Sequence, residues 1–471
     1  MKKRITFFCK KVHTDHGEIR PAVVHCIPEE PLEIQWNENS QNAIRLGDSV
    51  HIALGRADPH VHFRESILPT KLEYEMDMGS LVGYFGCLEA VKKANATYSI
   101  ETGVRSALKG GVVAVGAMGN VPWAPTNLNR WKQMQNAYQK KSLIPIVVWP
   151  RMEPNQKKIG GQEGKDFGST FGGRGITLQQ RQNMYIEWKG EAVSFHNDQS
   201  RPDQDFRSFC QNSTEPDFLN HHHYYDENTV LACQKETIRI AKLAGIKSLL
   251  ARHIPTGSGL QMMADAHTKS FKTPLEVGLD YMYWSRERLK KQPIHTARIN
   301  FRRPAFPKKE EQNSLIALTK DLVRQGRKIF FGSDHAPHSV KAKSFQNGIP
   351  GAPGTRNLEH SLQYLMELKN SWDYNYRDLD LLSAINPIRH LAQYHAFPNT
   401  VGTLSDGAMA NLCIFDPEAS YSVDVPLLKY QLNDPEYHSA FEGETLQGKV
   451  LFTVVNGRVF DVREEIKLLN R

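Results

Sequence analysis

Two histidines, one residue apart, stand in the segment RADPHVHFRE at residues 56–65. Side chains two residues apart on a β-strand share one face, so His60 and His62 are expected to project together. A pair of neighbouring imidazoles offers two ligands to a metal such as Zn²⁺. Because an H-x-H pair also arises by chance in ordinary strands, the other ligands of a metal site must be found elsewhere in the chain.

Three further residues of metal-binding type follow short apolar runs that predict strands. His196 follows EAVSF, His253 follows KSLLAR, and Asp334 follows KIFFGS. A lone buried histidine is usually structural, but four histidines and one aspartate at the ends of four strand patterns indicate a common site. If the strands are parallel and close into a barrel, their carboxyl ends meet where such folds carry their chemistry.

The number of candidate ligands indicates how many metal ions the site would hold. Four histidines and an aspartate exceed what one tetrahedral zinc with an open position needs, so two metals with a shared ligand fit better. Paired metals lower the pKa of a bound water and polarise a carbonyl group. Asp334 can accept the proton of that water and pass it to a leaving nitrogen. The predicted chemistry is hydrolysis at an amide-type carbon, or its reverse.

Arg64 lies two residues after His62 and therefore keeps the same face of the strand. A guanidinium in that place can hold a carboxylate through two hydrogen bonds. The alternative is a salt bridge at the rim of the site, with Glu65 as partner. Beside a pair of metals, the interpretation as an anchor for an anionic substrate is favoured.

The elements that would position these residues alternate along the middle of the chain. Apolar runs predict strands at 111–118, 144–149, 191–196, 246–253 and 328–334. Helical patterns lie between them, such as EEQNSLIALTKDLVRQG, whose leucines share one face and whose Gly326 can cap its end. Repeated strand–helix units over roughly 300 residues predict an α/β fold with a (β/α)₈ TIM-like barrel, and a doubly wound sheet is the alternative.

Both ends of the chain have the short alternating runs that are typical of strands. We therefore predict a small β-rich domain formed by the N- and C-terminal segments together. The predicted boundaries are residues 1–53 for its N-terminal part, 54–395 for the barrel, and 396–471 for its C-terminal part.

Composition narrows the possible partners and compartment. The chain has 471 residues with a net charge of +8, and its charges are dispersed, which favours a slightly basic enzyme over a nucleic-acid binder. The six cysteines form no C-x-x-C pair, as expected in a reducing compartment. No apolar run approaches the roughly 20 residues of a membrane helix. The run in MKKRITFFCKKV is too short for a signal peptide. We expect a cytoplasmic protein that binds neither nucleic acid nor membrane.

On these residues the sequence resembles the dihydroorotases, cyclic amidohydrolases of the amidohydrolase superfamily. DPHVHFRE resembles the opening metal motif of that family, and GSDHAPHS resembles its last-strand motif. VSFHNDQSRPDQDF and LARHIPTGSGL match the regions of the third and fourth histidine ligands, and ARINFRRP resembles a substrate-contacting segment. The similarity extends over nearly the whole chain.

The resemblance implies a barrel with two zincs and the reversible cyclisation of N-carbamoyl-L-aspartate to L-dihydroorotate in pyrimidine synthesis. Carried over by motif position, the metal ligands are His60, His62, His196, His253 and Asp334, of which Asp334 is also the proton shuttle. The residues implied to bind the substrate are Arg64, Asn120, Asn300 and His338. The expected partner is a small anionic substrate, and the expected assembly is a homo-oligomer, either a dimer or a tetramer.

Many members of the family bridge the two metals with a carboxylated lysine. Lys165, in GKDFGSTFGG, resembles the lysine that opens the fourth strand segment of the family. Burial beside metals would favour the neutral amine that takes up CO₂. The alternatives are that Lys165 is a solvated loop residue, or that Asp198 forms the bridge.

Some features depart from the family. Residues 66–96 separate Glu65 from the first helix, where many relatives are shorter, and can form an apolar insertion or a lid. TPLEVGLDYMYWS lacks a histidine that many relatives carry after this strand. An activity of the hydantoinase or allantoinase type is therefore an alternative, as is a non-catalytic subunit that scaffolds an aspartate transcarbamoylase. Arg64 disfavours the first, since a neutral ring does not need it, and the complete ligand set disfavours the second.

Overall fold

The computed structural model describes residues 2–78, 81–152, 167–170, 178–196, 227–343, 352–394 and 402–470. Helices and strands are mixed throughout this part of the chain, so the expected α/β class is confirmed. None of the helices in the described ranges has both the length and the apolar character needed to cross a bilayer.

One antiparallel-rich sheet joins the two ends of the chain. It contains β1 (Ile5–His13), β2 (Ile19–Cys26), β3 (Glu33–Trp36), β4 (Ile44–Arg45), β5 (His51–Leu54), β15 (Leu412–Ser422), β16 (Thr445–Val455), β17 (Arg458–Asp461) and β18 (Lys467–Leu468). The strand order is β18-β17-β16-β15-β5-β1-β2-β3, with β4 beside β1. The junction between the two ends is the antiparallel pairing of β15 with β5. The boundaries predicted around residues 53 and 395 remain predictions.

The middle of the chain supplies parallel strands. They are β6 (Arg56–Val61), β7 (Val112–Ala117), β8 (Ile146–Val148), β9 (Arg151–Met152), β10 (Phe167–Thr170), β11 (Ala192–His196), β12 (Ser248–Ile254), β13 (Leu275–Gly278) and β14 (Ile329–Gly332). They form a three-stranded sheet, β6-β7-β8, and a six-stranded sheet, β14-β13-β12-β11-β10-β9. Parallel strands buried on both faces are nearly continuous apolar runs, and the described ones include fully buried segments such as VVAVGA in β7.

The last of these strands lies beside the first. A parallel bridge pairs Val61 with His335, and the backbone N–H of Ser333 donates to the Asp58 carboxylate at 3.1 Å. Strand pairing is interrupted between β8 and β9, so the parallel strands form two sheets. Pro150 lies at this point and has no N–H to donate to a neighbouring strand. The described strand pairing therefore does not form a closed eight-stranded barrel, and the barrel remains a prediction.

Helices occupy the connections between the parallel strands and the region after them. They are α1 (Lys71–Met78), α2 (Leu81–Thr97), α3 (Ile100–Lys109), α4 (Leu128–Lys141), α5 (Leu178–Glu187), α6 (Glu227–Leu243), α7 (Gly257–Ala266), α8 (Arg286–Lys290), α9 (Ile294–Ile299), α10 (Lys309–Arg324), α11 (Val340–Lys343), α12 (Ser361–Trp372), α13 (Tyr376–Asp380), α14 (Asn386–Leu391) and α15 (Val425–Leu432). Single 3₁₀ turns cover Leu279–Met282 and Leu358–His360, and a π-helical turn covers Leu381–Ile385.

Helix α10 shows how the sequence places these elements. Leu315 and Leu322 are buried on its inner face, and Leu318 packs against the same core while partly exposed. Gly326 follows the helix with a φ of 76°, a left-handed conformation that ends helices and that glycine adopts without strain. The spacing of leucines and the position of the glycine thus fix both the face and the end of the helix.

Residues 66–96, expected as an insertion, contain α1 and all of α2 but its last residue, and the two helices together are called the α1–α2 hairpin. Tyr74 of α1 stacks on Trp123, with ring centroids 5.3 Å apart. At the base, the backbone N–H of Ser66 donates to Asn95 Oδ1 at 2.8 Å, and Asn95 Nδ2 donates to the Ser66 carbonyl at 2.7 Å. The chain therefore enters and leaves the hairpin at one point.

Helix α3 packs directly on the segment that carries the histidine pair. A Cβ atom added to Gly103 of α3 would lie 2.4 Å from ring atoms of Phe63, and Phe63 is itself fully buried. Glycine lets the helix backbone approach the ring this closely because it has no side chain.

We expect Gly103→Ala to lower the free energy of unfolding by about 1–3 kcal/mol, because the added methyl group must displace a buried ring. The matched control is Gly86→Ala in α2, where nothing lies within 4 Å of an added Cβ atom. There, alanine should stabilise the helix by about 0.5–1 kcal/mol. Urea unfolding measures both variants, and a Gly103→Ala protein as stable as the control would contradict the tight contact.

Candidate metal-binding active site

The predicted ligands come together at the carboxyl ends of the parallel strands. His60 lies in β6, His196 ends β11, and His253 lies in β12. His62 follows β6 by one residue, and Asp334 follows β14 by two. The ring centroid of His60 lies 5.2, 5.1 and 5.2 Å from those of the other three imidazoles, in chain order. All five side chains are buried.

Nitrogen and oxygen atoms that can bind a metal face one another in this cluster. His60 Nε2 lies 3.4 Å from His196 Nε2 and 3.3 Å from Asp334 Oδ1. His62 Nε2 lies 2.8 Å from the same carboxylate oxygen. Candidate ligand atoms of His60, His62 and His196 all lie within 4.8 Å of one another. A set of imidazole nitrogens and a carboxylate is one that zinc and similar ions favour.

His60 and His62 are each oriented by a hydrogen bond at Nδ1, the ring nitrogen on the side away from the cluster. His60 Nδ1 contacts a Glu276 carboxylate oxygen at 2.6 Å, and His62 Nδ1 contacts Asn120 Oδ1 at 2.5 Å. Because these partners are acceptors, the Nδ1 atoms donate, which in a neutral ring leaves the Nε2 lone pair pointing into the cluster. Converging lone pairs repel one another unless a cation or a proton lies between them. The arrangement therefore fits a metal ion, whose histidine ligands are commonly oriented in this way.

Burial lowers the pKa of two histidines in the cluster. It lowers the pKa of His196 well below its usual value and that of His253 to about 3. Burial alone would raise the pKa of Asp334, but the neighbouring His60 and Arg302 help to hold it well below its usual value. An ionised carboxylate beside the neutral imidazoles of His196 and His253 is a combination that metal binding requires.

Glu276 is a residue of this site that sequence reasoning missed. Its carboxylate is fully buried in β13 and accepts hydrogen bonds from His60 Nδ1, from Arg252 Nη1 at 2.6 Å and from the His253 backbone N–H at 3.0 Å. The segment TPLEVG was treated as an ordinary strand. A glutamate within an otherwise apolar strand was the signal, since a buried carboxylate is rare unless it is paired.

Three residues of the site adopt left-handed backbone conformations without being glycine. The φ angles are 57° at Arg64, 37° at His253 and 50° at Asp334. Such angles are uncommon for residues with a side chain and cost of order 1–3 kcal/mol each. All three residues lie at or just beyond the ends of strands. The surrounding packing therefore holds their side chains in orientations that an unstrained strand would not produce.

A cavity of about 240 Å³ opens beside the cluster. Its lining consists of His62, Arg64, Asn120, His196, His253, Arg303, Asp334, Ala336, His338, Pro353 and Gly354. Arg64 donates from Nε to the Pro337 carbonyl at 3.2 Å, and its Nη2 lies 3.2 Å from His338 Nε2. Burial lowers the pKa of His338 well below its usual value. The predicted substrate anchors Arg64, Asn120 and His338 thus share one cavity with the candidate ligands.

Asn300, the fourth predicted anchor, is not among the residues that line this cavity. It directly follows α9, is buried, and its Nδ2 has no hydrogen-bond partner within the described ranges. The two residues after Phe301 lie closer to the chemistry. Arg302 donates from Nη2 to Asp334 Oδ2 at 2.8 Å and pairs with Asp280 through Nη1, and Arg303 lines the cavity.

The two residues predicted as alternative bridges, Lys165 and Asp198, lie outside the described residues. His335, the neighbour of Asp334 in the sequence, does not line the cavity. Its Nδ1 accepts hydrogen bonds from the backbone N–H groups of Asn357 and Leu358, each at 3.2 Å. It therefore supports the loop after Asp334 rather than facing the ligands.

No protein-family model matches the chain. Among curated proteins, the dihydroorotase of Aquifex aeolicus is 27% identical over 210 residues, 44% of each chain. The dihydroorotase of Clostridium acetobutylicum is 29% identical over 159 residues, 33% of this chain and 34% of that protein. These matches span less than half of each relative. The dihydroorotase of Geobacillus kaustophilus is 23% identical over 469 residues, 95% of this chain and 93% of that protein.

Solved structures resemble the whole chain. The L-hydantoinase (dihydropyrimidinase) of Arthrobacter aurescens superposes with a TM-score of 0.77 at 16% identity, over 100% of this chain and 98% of that one. A D-hydantoinase gives a TM-score of 0.74 at 15% identity, over 99% and 97%. At such identities the likeness concerns the fold alone. The resemblance to dihydroorotases, within the cyclic amidohydrolases, is confirmed, and every one of these relatives bears the name of an enzyme.

We expect zinc, added to chelator-treated protein, to raise its free energy of unfolding by about 2.7 kcal/mol at a free concentration a hundredfold above Kd. His196→Asn should remove most of this gain, because one of the converging nitrogens is lost. The matched control is His335→Asn, which alters a buried histidine directly beside Asp334 but outside the cluster.

Chemical unfolding with and without zinc compares each variant with its own metal-free baseline. A gain that survives in His196→Asn, or that disappears in His335→Asn, would contradict the assignment of the ligands.

Proposed function

We propose that this chain is a zinc-dependent dihydroorotase, which interconverts N-carbamoyl-L-aspartate and L-dihydroorotate in pyrimidine synthesis. The observation that carries the proposal is the presence of Arg64 and the histidine cluster in one cavity. The proposal includes a closed (β/α)₈ barrel, the three-part domain division and a cytoplasmic location. The sequence relatives named dihydroorotase support it, one of them over 95% of the chain.

The charge of the cavity favours an anionic substrate. Arg64 and Arg303 both line it, while the carboxylate that also lines it, Asp334, is paired with Arg302. The hydrogen bonds of Arg64 within the described residues go to Pro337 and His338, which are not anions. A guanidinium in such a place gains most from a carboxylate, which both forms of the proposed substrate carry.

The donor set fits two metal ions. Four imidazoles and one carboxylate converge, and His253 Nδ1 is buried without a hydrogen-bond partner in the described part of the chain. When bound, such ions supply a water of lowered pKa and a Lewis acid for the ring carbonyl. Zinc as the metal, two ions per chain, and a bridge by carboxylated Lys165 or by Asp198 all belong to the proposal.

Asp334 is the residue to which we assign proton transfer. Arg302 holds Oδ2 of its carboxylate, which leaves Oδ1 turned toward the histidines. In ring opening, Oδ1 accepts a proton from the attacking water as the water oxygen bonds to the ring carbonyl carbon. The bond from that carbon to the ring nitrogen then breaks, and the proton passes from Oδ1 to the leaving nitrogen. General acid–base transfer of this kind contributes about 10²–10⁴-fold to a rate. Arg64, Asn120 and His338 hold the substrate carboxylate while this happens.

Two other functions remain as rivals. The solved structures with the same fold are hydantoinases, which favours a neutral cyclic amide as the substrate, but a neutral ring leaves Arg64 without an anionic partner. A non-catalytic subunit that scaffolds an aspartate transcarbamoylase would be expected to have lost ligands, whereas His60, His62 and Asp334 are all in place.

The deciding experiment combines metal content, by plasma mass spectrometry, with hydrolysis of dihydroorotate and of hydantoin by the same sample. We expect two zincs per chain and turnover of dihydroorotate, with Asp334→Asn about 10²–10⁴-fold slower while still binding the substrate. Two zincs with turnover of hydantoin alone would favour the hydantoinase rival. A protein without metal or turnover would refute the enzyme and favour the scaffold.

Arg64→Met tests the choice of substrate separately from the metal centre. We expect kcat/KM for dihydroorotate to fall about 10- to 150-fold, because a hydrogen bond to a charged group is worth about 1.5–3 kcal/mol. Metal content should stay unchanged, and any residual hydrolysis of a neutral ring should change little. Equal losses on the acidic and the neutral substrate would show that Arg64 maintains the site instead of binding the carboxylate.

A further inference from the structure

The α1–α2 hairpin exposes a group of apolar side chains. Six of the fifteen large apolar residues that are exposed in the described ranges fall within residues 68–85, so they are concentrated in one short segment of the chain. These six, called the outer face, are Leu68, Leu72, Met76, Leu81, Val82 and Phe85. Their exposure runs from 50% for Leu81 to 85% for Val82. Residues three or four apart on a helix share a face, which applies to Leu72 with Met76 and to Val82 with Phe85.

The hairpin has a second, inner side that is already packed. Tyr74 and Val91 are buried there together with Trp123 of the loop after β7. A Cβ atom added to Gly83 would lie 2.4 Å from the Tyr74 hydroxyl, so the two helices are in close contact at this point. The hairpin is therefore seated on the body of the protein, and the outer face is a separate surface.

The size of the outer face suits an interface. Because half or more of each residue is exposed, the six side chains together present roughly 600 Å² at about 100 Å² apiece, an area comparable with the largest apolar patch on a typical monomer. If the same face met its equivalent on a second copy, about 1,200 Å² would be buried in total, the lower bound for a specific and stable interface. Contacts between identical subunits are also the more apolar class of interface.

The charge of the hairpin favours a second copy of this chain, rather than a lipid surface, as the partner of the outer face. Residues 71–97 hold three lysines and four acidic residues, a net of −1 in a chain whose net charge is +8. Amphipathic helices that lie on membranes are rich in lysine and arginine beside their apolar face, and this hairpin is not. Two copies of a basic chain repel each other over most of their surface, but not where the hairpin removes the excess positive charge.

We propose that the outer face of the α1–α2 hairpin is the contact between two copies of this chain, related by a two-fold axis. In such an arrangement one apolar patch serves both subunits, which is the commonest symmetry of homo-oligomers. The proposal does not depend on the reaction at the metal site, because its measurement is molecular mass.

The test is sedimentation velocity of the full chain at several micromolar concentrations. We expect the wild-type protein to sediment with at least twice the mass of the 53.5 kDa chain, and the double variant Val82→Glu/Phe85→Glu to have half the wild-type mass. Leu72→Lys, on the other helix, should give the same halving. These positions are exposed, so the substitutions should leave folding nearly unchanged, which circular dichroism checks.

The matched control is Leu243→Glu, at the end of α6, where the leucine is 66% exposed and far along the chain from the hairpin. Its mass should equal that of the wild type. A wild-type protein with the mass of one chain would overturn the proposal, as would a hairpin variant whose mass is unchanged. Cosedimentation of a monomeric wild type with vesicles of anionic phospholipid would overturn it in favour of a membrane contact.

Discussion

The site depends on how the protein keeps the carboxylate of Glu276 charged although this group is fully buried. Burial would raise the pKa of this group, but Arg252 and His60 hold it below its usual value. The same two partners, with the backbone N–H of His253, connect β13 to β6 and β12. Losing one partner of a buried pair leaves the other charge uncompensated, at a cost of about 3–5 kcal/mol. The contact therefore aligns three strands and turns the His60 ring toward the other ligands.

Much of the candidate site could be predicted because its chemistry lies where apolar strands end. The runs at 191–196 and 328–334 became β11 and β14, and the histidine and the aspartate that follow these runs both lie against His60. Glu276 and Arg302 could not be found in this way. One lies inside a strand, and the other lies in an irregular segment where only Asn300 had been singled out, so their partners are set by tertiary packing. The break between β8 and β9 likewise reflects a proline whose effect on pairing emerges only once the neighbouring strands are in place.

The proteins that resemble this chain in sequence and those that resemble it in fold have different names. The sequence matches are dihydroorotases, whereas the superposed structures are hydantoinases. A fold can host many activities, so the side chains in the cavity must decide the substrate. Here those side chains include Arg64 and Arg303, and a third arginine, Arg302, binds the carboxylate proposed to move the proton. The arginines belong to loops and irregular segments, which is where variation on a fixed scaffold is easiest.

The paired hydrogen bonds between Ser66 and Asn95 have an evolutionary consequence. Because the chain leaves and re-enters the body of the protein at a single joint, a segment of nearly thirty residues can be acquired or lost in one genetic event. The strands that carry the histidines would keep their register through such a change, since none of their hydrogen-bond ladders runs through the hairpin. A lineage can in this way gain or lose an exposed apolar surface while the strands that carry the histidines descend unaltered.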